Sequence, residues 1–232
     1  MDKKPKIAVL TGAGISAESG LSTFRDSDGL WEKYPVYDVA TPEAWSKNPA
    51  LVLEFYNQRR RKVAEAKPNA AHHALVELES AYDVTIVTQN VDDLHERAGS
   101  SQVIHVHGLI TQARSTKDPN LIFDIRYNNI GLDDRCPLGS PLRPHIVWFG
   151  ESVQHFEEGA ASVETADKVM VIGTSLTVYP AAGMADLARP EAEKVLVTLE
   201  SDFIPTGFIH YPQKAAEIVP SIVKDWIAGI KA

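Results

Sequence analysis

The chain is poor in cysteine, since Cys136 is the single one among its 232 residues. One thiol cannot form a disulfide within the chain, and alone it cannot make a four-thiolate zinc site. Long apolar runs are also missing. The first apolar run, residues 7–10, is too short for a secretion signal or a membrane span. The sequence therefore favours a cytoplasmic protein without a membrane partner.

An excess of basic charge is likewise missing. The chain has 23 Lys and Arg residues against 31 Asp and Glu residues, which gives a formal net charge of -8. It has no general attraction to nucleic-acid phosphates or anionic lipid, so we expect no nucleic-acid partner. Hydrophobic residues make up 44% of the chain and charged residues 23%, which excludes a mostly disordered protein and allows one substantial core.

Short apolar runs rich in β-branched residues recur along the chain at long intervals. They lack strict alternation and are separated by helical patterns, which is typical of a parallel sheet covered on both faces. We therefore predict an α/β fold with a Rossmann-like sheet. The predicted strands are residues 7–10, 84–87, 103–106, 169–172 and 195–197. The predicted helices are residues 16–20, 49–66, 70–80, 92–98, 156–165, 181–187 and 215–228.

Residues 108–144 break this rhythm. They are rich in Pro, Gly, Asn and Asp, and they carry only weak strand signals at 112–114 and 121–125. The interruption predicts a small lobe, residues 108–145, inserted into a discontinuous main domain of residues 1–107 and 146–232. A cleft between two such units is a natural ligand site.

A glycine-rich turn follows the first predicted strand. Gly12, Gly14 and Ala17 match the pattern G-x-G-x-x-A, in which glycines let backbone N–H groups approach a pyrophosphate at a helix N-terminus. The alternative is a strand–helix turn without a ligand. A dehydrogenase would next place an acidic residue after a second strand, but no strand pattern precedes Asp38. Residues 24–31 instead predict a flexible flap, which argues against simple hydride transfer.

The carboxyl ends of the other predicted strands are polar, and ligands of open α/β sheets bind beyond those ends. The ends comprise residues 89–93, 107–108, 173–175 and 198–200. The imidazole of His107 is a candidate general base, since imidazole titrates near neutral pH. His105 lies on the same strand face, but two histidines alone give weak support for a metal site. Helix capping by the polar residues is the alternative. Five further histidines are predicted to be surface or capping groups: His72, His73, His95, His155 and His210.

The predicted helix at 49–66 carries an arginine on its apolar face. Tyr56 and Arg59 share a stripe with apolar residues by the 3.6-residue period, whereas Arg60 and Arg61 are predicted to be solvated. A guanidinium on a buried face needs a carboxylate or phosphate partner, and the Tyr56 hydroxyl can bind the same acceptor. The alternative is an ion pair of Arg59 with an Asp or Glu of this chain.

Eight short motifs stand in an order and spacing that cover nearly the whole chain: GAGISAESG (12–20), TFR (23–25), GLW (29–31), TQNVD (88–92), HG (107–108), RP (143–144), FGE (149–151) and GTS (173–175). Together they resemble the motifs of the sirtuins, which are NAD-dependent protein lysine deacylases. Residues 38–42 and the pair Tyr56 and Arg59 are similar to the class III branch, whose Tyr-x-x-Arg pair binds acidic acyl groups such as succinyl and malonyl.

The resemblance implies an NAD-binding main domain and a reaction that releases nicotinamide, O-acyl-ADP-ribose and the free lysine. It implies acylated lysine peptides as partners, and we expect a monomer. The implied catalytic residues are His107, Asn90 and Asp92, of which His107 is the base and the other two hold the ribose and nicotinamide. The implied NAD contacts are Gly12, Ala13, Gly14, Ala17, Thr23, Phe24, Arg25, Trp31, Gln89, Asn90, Val91, Asp92, Gly173, Thr174, Ser175, Thr198 and Ala215. The implied substrate contacts, in part by strand addition of the peptide, are Tyr56, Arg59, Val147, Phe149, Gly150 and Glu151.

The sequence departs from the sirtuin pattern in two places. Sirtuins usually hold a structural zinc with two cysteine pairs, but Ser115 stands at one cysteine position and Cys136 alone remains of the second pair. We therefore expect a zinc-ribbon-like lobe without zinc. Thr198 stands where the family usually has an Asn on the adenosine ribose, so we expect an altered affinity for NAD. The apolar side chains expected to hold the lobe are Leu121, Ile122, Phe123, Ile125 and Leu132.

The sequence thus favours a deacylase that removes succinyl and malonyl groups and, more weakly, acetyl groups. Two alternatives use the same NAD site: a protein ADP-ribosyltransferase, and a sensor that binds NAD or an acyl-ADP-ribose without turnover. The presence of His107, Asn90 and Asp92 argues against the sensor. A hydride-transferring dehydrogenase is a more distant alternative.

Overall fold

The main sheet consists of six parallel strands among the residues that the structure describes. The structure is a computed structural model and describes residues 4–23, 34–201 and 203–231. The strands are β1 (Lys6–Thr11), β2 (Asp83–Thr88), β3 (Val103–His105), β7 (Lys168–Ile172), β8 (Glu193–Val197) and β9 (Phe208–Tyr211). Their order across the sheet is β3-β2-β1-β7-β8-β9.

The five predicted strands are all confirmed. The sixth, β9, lies at the edge of the sheet, where Ile209 is 46% exposed. Its side chains are only partly buried, so its sequence has no continuous apolar run that would indicate a strand.

The predicted helices are also present, with shifted ends at the shorter ones. They are α1 (Gly14–Ala17), α4 (Pro49–Glu65), α5 (Ala70–Leu78), α6 (Leu94–Ala98), α7 (Phe156–Glu164), a 3-10 helix (Ala181–Leu187) and α8 (Ala215–Ile227). Two short helices, α2 (Val36–Val39) and α3 (Pro42–Lys47), are not predicted. The Thr41 hydroxyl caps α3 by accepting a hydrogen bond from the Ala44 amide at 3.0 Å. Within the described ranges, no helix combines the length and apolarity needed to cross a membrane.

Apolar side chains cover both faces of the main sheet. Val9 belongs to one buried cluster with Leu75 of α5 and Trp226 of α8. Leu10, the next residue along β1, belongs to a second cluster with Met184 of the 3-10 helix. Successive side chains of a strand point to opposite faces, so helices lie on both sides of the sheet. This arrangement confirms the predicted α/β fold.

A second, antiparallel sheet is built from the residues that follow β3. Its strands β4 (Gly108–Ser115), β5 (Ile122–Asp124) and β6 (Leu142–Ile146) lie in the order β5-β4-β6. The weak strand signals at 112–114 and 121–125 are confirmed as parts of β4 and β5. The strand β6 is not predicted, since it contains Pro144, and proline is disfavoured inside strands.

The predicted packing of this small lobe is partly wrong. Ile122 and Leu132 are 44% and 52% exposed, so neither belongs to a core. Ala113 of β4 and Ile130 are instead buried against Leu53 of α4. The sequence shows that the segment contains apolar residues, but it does not show which of them meet the helix.

Arg60 is fully buried, which corrects the prediction that it is solvated. Its Nε donates a hydrogen bond to the Ile110 carbonyl at 2.7 Å, and its Nη1 donates to the Asn57 side-chain oxygen at 2.6 Å. Burial and then the charge of Arg61 lower the pKa of Arg60 to about 10. The helix α4 packs against β4 and β6 as well as against its neighbouring helices, so more than one side of it is buried. A prediction based on one apolar stripe therefore places Arg60 wrongly in solvent.

Arg60→Met is expected to lower the free energy of unfolding by about 1–3 kcal/mol, because the buried Ile110 carbonyl and Asn57 side-chain oxygen each lose a hydrogen bond from a charged donor. Urea denaturation followed by circular dichroism measures this change. Arg61→Met is the matched control, since the Arg61 side chain is 48% exposed on the same helix. The control is expected to change the free energy by less than about 0.5 kcal/mol. Equal losses in the two variants would contradict a structural role for Arg60.

Candidate active site

Three loops meet at the carboxyl edge of the main sheet, after β1, β2 and β7. The Gly14 amide donates to the Gly173 carbonyl at 2.8 Å, and the Gln89 amide donates to the Thr11 carbonyl at 2.9 Å. The Gln89 side chain also reaches the Thr174 hydroxyl at 3.5 Å. Two of the polar strand ends predicted from the sequence, 89–93 and 173–175, thus lie together where ligands of open α/β sheets bind.

Close packing at this edge requires glycine. A Cβ atom on Gly14 would lie 2.6 Å from the Gly173 Cα atom, and one on Gly12 would lie 2.7 Å from the Thr174 Cβ atom. The Ala13 amide between the two glycines has no hydrogen-bond acceptor within the part of the chain that the structure describes. It is therefore available to a phosphate oxygen.

The other predicted NAD contacts lie around this edge in different surroundings. Ala17 is exposed on α1, whereas Ala215 is 5% exposed and packs into the core at the start of α8. Thr198 follows β8, and its hydroxyl donates to the Glu200 carbonyl at 3.1 Å. Their contacts with NAD stay predictions. Three further predicted contacts lie outside the described residues: Phe24, Arg25 and Trp31.

A chain of buried hydrogen bonds joins the loops after β1 and β2. The Asn90 amide group donates to the Ser16 hydroxyl at 3.1 Å, and that hydroxyl donates to an Asp92 carboxylate oxygen at 3.0 Å. The Leu94 amide donates to the other carboxylate oxygen at 3.1 Å. Burial raises the pKa of Asp92, although these hydrogen bonds act to lower it. Ser16 is not among the predicted site residues, although its place in the glycine-rich motif is a usable signal.

His105 and His107 both bind the loop after β2. The His107 Nδ1 atom lies 3.1 Å from the Gln89 carbonyl oxygen, and the His105 Nδ1 atom lies 3.2 Å from the Asn90 carbonyl oxygen. A carbonyl oxygen only accepts, so Nδ1 of each ring carries the proton. In neutral His107 the Nε2 atom therefore keeps its lone pair, as a general base requires.

The two rings differ in their preferred charge. Burial lowers the pKa of His107, and the hydrogen bond to Gln89 offsets this only in part. Burial acts in the same way on His105, but the Glu96 carboxylate, 2.6 Å from Nε2, and the Asn90 carbonyl raise its pKa above the usual value. The surroundings thus shift the two pKa values in opposite directions, so His107 loses its proton at a lower pH than His105 does.

Nuclear magnetic resonance titration of the histidine ring protons is expected to place the pKa of His107 below 6.5 and that of His105 above it. His107→Gln and His105→Gln assign the two signals. Glu96→Gln removes the negative charge beside His105, so it is expected to lower the pKa of His105 and to leave that of His107 unchanged. The reverse order of the two values in the wild-type protein would contradict the assignment.

His72 and His95 are fully buried, so the prediction of surface or capping groups is wrong for His95 and holds for His72 only as a cap. His72 does cap α5, because its Nδ1 accepts a hydrogen bond from the Asn69 amide at 3.3 Å. The two ring centroids are 4.9 Å apart, and His95 Nε2 lies 3.1 Å from the Thr11 hydroxyl. Burial lowers both pKa values, that of His72 to about 4. Both rings are therefore neutral imidazoles behind the end of β1.

Tyr56 and Arg59 lie together on α4, as the predicted stripe requires. The buried Tyr56 hydroxyl accepts a hydrogen bond from Trp148 Nε1 at 3.1 Å. The Arg59 guanidinium lies 5.7 Å from the ring centroid of Phe55 and 5.9 Å from that of Tyr56. Burial raises the pKa of Tyr56 to about 12, although Arg59 acts to lower it. Burial lowers the pKa of Arg59, while Tyr56 and Asp92 act in the opposite direction.

The segment that follows β6 is fixed through its backbone amides. The Val147 amide donates to the His107 carbonyl at 2.9 Å, and the Phe149 amide donates to the Ala40 carbonyl at 3.0 Å. Phe149 is 47% exposed, and Gly150 has a φ of +91°. Because these amides are engaged within the chain, a peptide strand would pair with the carbonyl groups of this segment. The peptide contacts of Val147, Phe149 and Gly150 stay predictions.

The Glu151 carboxylate is bound inside the protein. Arg143 donates to its two oxygens at 2.6 and 3.0 Å, and Arg114 donates to one of them at 3.0 Å. The Trp148 amide donates to the other oxygen at 2.8 Å. Burial acts to raise the pKa of Glu151, but Arg143 and the Trp148 amide hold it below its usual value. The predicted contact of Glu151 with the peptide stays a prediction.

Residues 12–180 match the sequence model of the Sir2 family, and this range contains the three edge loops and α4. The chain belongs to the Sir2 family. This sirtuin is 55% identical over 194 residues to the NAD-dependent protein deacylase of Aggregatibacter actinomycetemcomitans, which covers 84% of this chain and 93% of that protein. It is 44% identical over 239 residues to the NAD-dependent protein deacylase of Escherichia coli (strain K12), with 99% and 85% covered.

Solved sirtuin structures share the fold. A Sir2 homologue in complex with NAD superposes with a TM-score of 0.87 at 37% identity, covering 97% of this chain and 90% of that chain. A Sir2 enzyme with a deacetylated peptide and 3'-O-acetyl-ADP-ribose superposes with a TM-score of 0.78 at 29% identity, covering 97% and 94%. The resemblance of the motifs to those of sirtuins is therefore confirmed.

Two of the positions at which sirtuins usually hold zinc form a hydrogen-bonded cluster in this chain. The Ser115 Oγ atom lies 2.9 Å from Ser140 Oγ, and Cys136 Sγ lies 3.3 Å from the first and 3.1 Å from the second. Structural zinc sites use four thiolate or imidazole ligands, and one thiol with two hydroxyls is not such a set. Across the described ranges, no three His, Cys, Asp or Glu side chains are arranged to bind a metal. The residues present do not fit a structural zinc.

Proposed function

We propose that this sirtuin, an NAD-dependent protein deacylase, prefers acidic acyl groups such as succinyl and malonyl on protein lysines. The observation that supports this preference is the Tyr56 and Arg59 pair beside Phe55 on α4. A guanidinium forms a strong charge-assisted pair with a carboxylate, and an acetyl group has no carboxylate. Recognition of a polar group by a polar partner discriminates more strongly than the addition of a methylene does.

We assign the cofactor to the edge formed by Gly12, Gly14 and Gly173. The Ala13 amide is available there for a phosphate oxygen, and a Sir2 homologue of the same fold binds NAD. When bound, NAD supplies the ribose carbon that takes up the acyl oxygen as nicotinamide leaves. Asn90 is assigned to orient the nicotinamide side of the cofactor.

His107 is the proposed catalytic base. The Gln89 carbonyl holds the Nδ1 proton, so Nε2 is the atom that takes up a proton from a hydroxyl in the cleft. Burial keeps its pKa below the usual value, so the neutral form prevails near pH 7. The Ser16 hydroxyl holds Asn90 and Asp92 in fixed positions near the base.

Arg59→Met is expected to lower kcat/KM for a succinyl-lysine peptide about 10- to 100-fold, the effect of losing a charge-assisted hydrogen bond. The kcat/KM for the matching acetyl-lysine peptide is expected to stay the same or rise. Steady-state assays with mass-spectrometric detection measure both values. Arg61→Met, on the exposed side of the same helix, is the matched control.

Equal losses for both peptides would reject the acyl-binding role of Arg59. A gain in mass of a protein substrate by ADP-ribose, without loss of its acyl group, would indicate an ADP-ribosyltransferase instead.

We also propose that the small lobe is stable without zinc. The Ser115, Cys136 and Ser140 cluster supports this proposal, because its three side chains bind one another. Protein purified without chelator is expected to contain much less than one zinc per chain by elemental mass spectrometry. A chelator is expected to leave the Tm unchanged. One bound zinc per chain, with a lower Tm after its removal, would contradict the proposal.

A further inference from the structure

We infer that Trp148 is a specificity-determining positioning residue, whose indole N–H leaves the Tyr56 hydroxyl to donate a hydrogen bond to an acidic acyl group. This inference rests on the proposed preference for acidic acyl groups. Tyr56 and Arg59 are the side chains proposed to contact the acyl group, and Trp148 acts on that group only through Tyr56.

The direction of the hydrogen bond between Trp148 and Tyr56 carries the inference. The two side chains are 2% and 1% exposed, and the Trp148 Nε1 atom lies 3.1 Å from the Tyr56 hydroxyl oxygen. An indole nitrogen only donates, so the hydroxyl oxygen accepts, and the hydroxyl proton points elsewhere. Within the described residues, that proton has no hydrogen-bond acceptor. Burial raises the pKa of Tyr56 to about 12, so the proton is present at any working pH.

Several contacts hold the indole in this orientation. The Arg143 guanidinium lies 3.2 Å from the centroid of the Trp148 ring, and the ring centroids of Trp45 and Trp148 are 5.9 Å apart. Arg143 is itself fixed by both oxygens of Glu151 and by the Ile146 carbonyl at 2.9 Å. The same Glu151 carboxylate accepts a hydrogen bond from the Trp148 backbone amide. Glu151 therefore fixes the backbone of Trp148 directly and its ring through Arg143.

The chemistry of the acyl group decides whether this arrangement matters. A carboxylate is an acceptor without donors, so it matches the Tyr56 hydroxyl, whose proton is not donated to another described residue. The methyl group of an acetyl substrate neither accepts nor donates. Loss of the indole N–H would let the Tyr56 hydroxyl turn, which weakens binding of the acidic substrate alone. An interaction that is equal in the ground state and the transition state changes KM and not kcat.

Trp148→Phe tests the inference, because it keeps an aromatic ring under Arg143 and removes the donor. With a succinyl-lysine peptide, KM is expected to rise about fivefold with kcat unchanged, the size of one net hydrogen bond. With the acetyl-lysine peptide, both constants and the KM for NAD are expected to stay within about twofold. In a Tyr56→Phe background, Trp148→Phe is expected to have no further effect on KM for the succinyl peptide.

The outcomes separate this inference from the proposed function. If the wild-type protein prefers succinyl over acetyl but Trp148→Phe changes both substrates alike, the inference is wrong and the proposed function stands. Additive effects of Trp148→Phe and Tyr56→Phe would also overturn it. If the wild-type protein shows no preference for succinyl, both are overturned. Should Trp148→Phe fail to fold, Trp148→Met, which also removes the indole N–H and leaves Arg143 and Glu151 in place, must show the selective rise in KM. The absence of that rise would refute the role of Trp148.

Discussion

The backbone contact between Gly14 and Gly173 sets the geometry of the whole candidate site. Because neither residue has a side chain, the loops after β1 and β7 approach to hydrogen-bonding distance, and the loop after β2 closes on them. This closeness lets Ser16 of the first loop reach Asn90 and Asp92 of the second. Three polar side chains then stay buried with their hydrogen bonds made, which a wider edge of the sheet would not allow.

The helix α4 contacts the small sheet and the segment after it through different sides of its surface. Arg60 binds the backbone of β4, while Tyr56, which lies next to Arg59, accepts a hydrogen bond from Trp148. The position of the Tyr56 hydroxyl thus depends on buried contacts on both sides of the helix. The proposed substrate preference is therefore a property of how the small sheet is docked, and not only of the two side chains that meet the acyl group.

The main sheet could be predicted from the sequence because its strands are continuous apolar runs buried on both faces, as residues 7–10 and 169–172 illustrate. The motifs of the edge loops could also be found, since each follows such a strand. Arg60 could not be placed, because its partner Ile110 offers a backbone carbonyl that leaves no trace in the sequence pattern. Trp148 was missed for a similar reason, since its partner Tyr56 lies 92 positions away and the hydrogen bond between them exists only after folding.

One peptide group connects the proposed base with the acyl-binding side chains. The His107 carbonyl accepts a hydrogen bond from the Val147 amide, and Val147 is followed directly by Trp148. The residue that carries the proposed base is therefore joined by a backbone hydrogen bond to the residue that precedes Trp148. A displacement of the segment that carries Trp148 would therefore also pull on the backbone of His107, so the positions of the proposed base and of the proposed acyl-binding pair are coupled through this hydrogen bond.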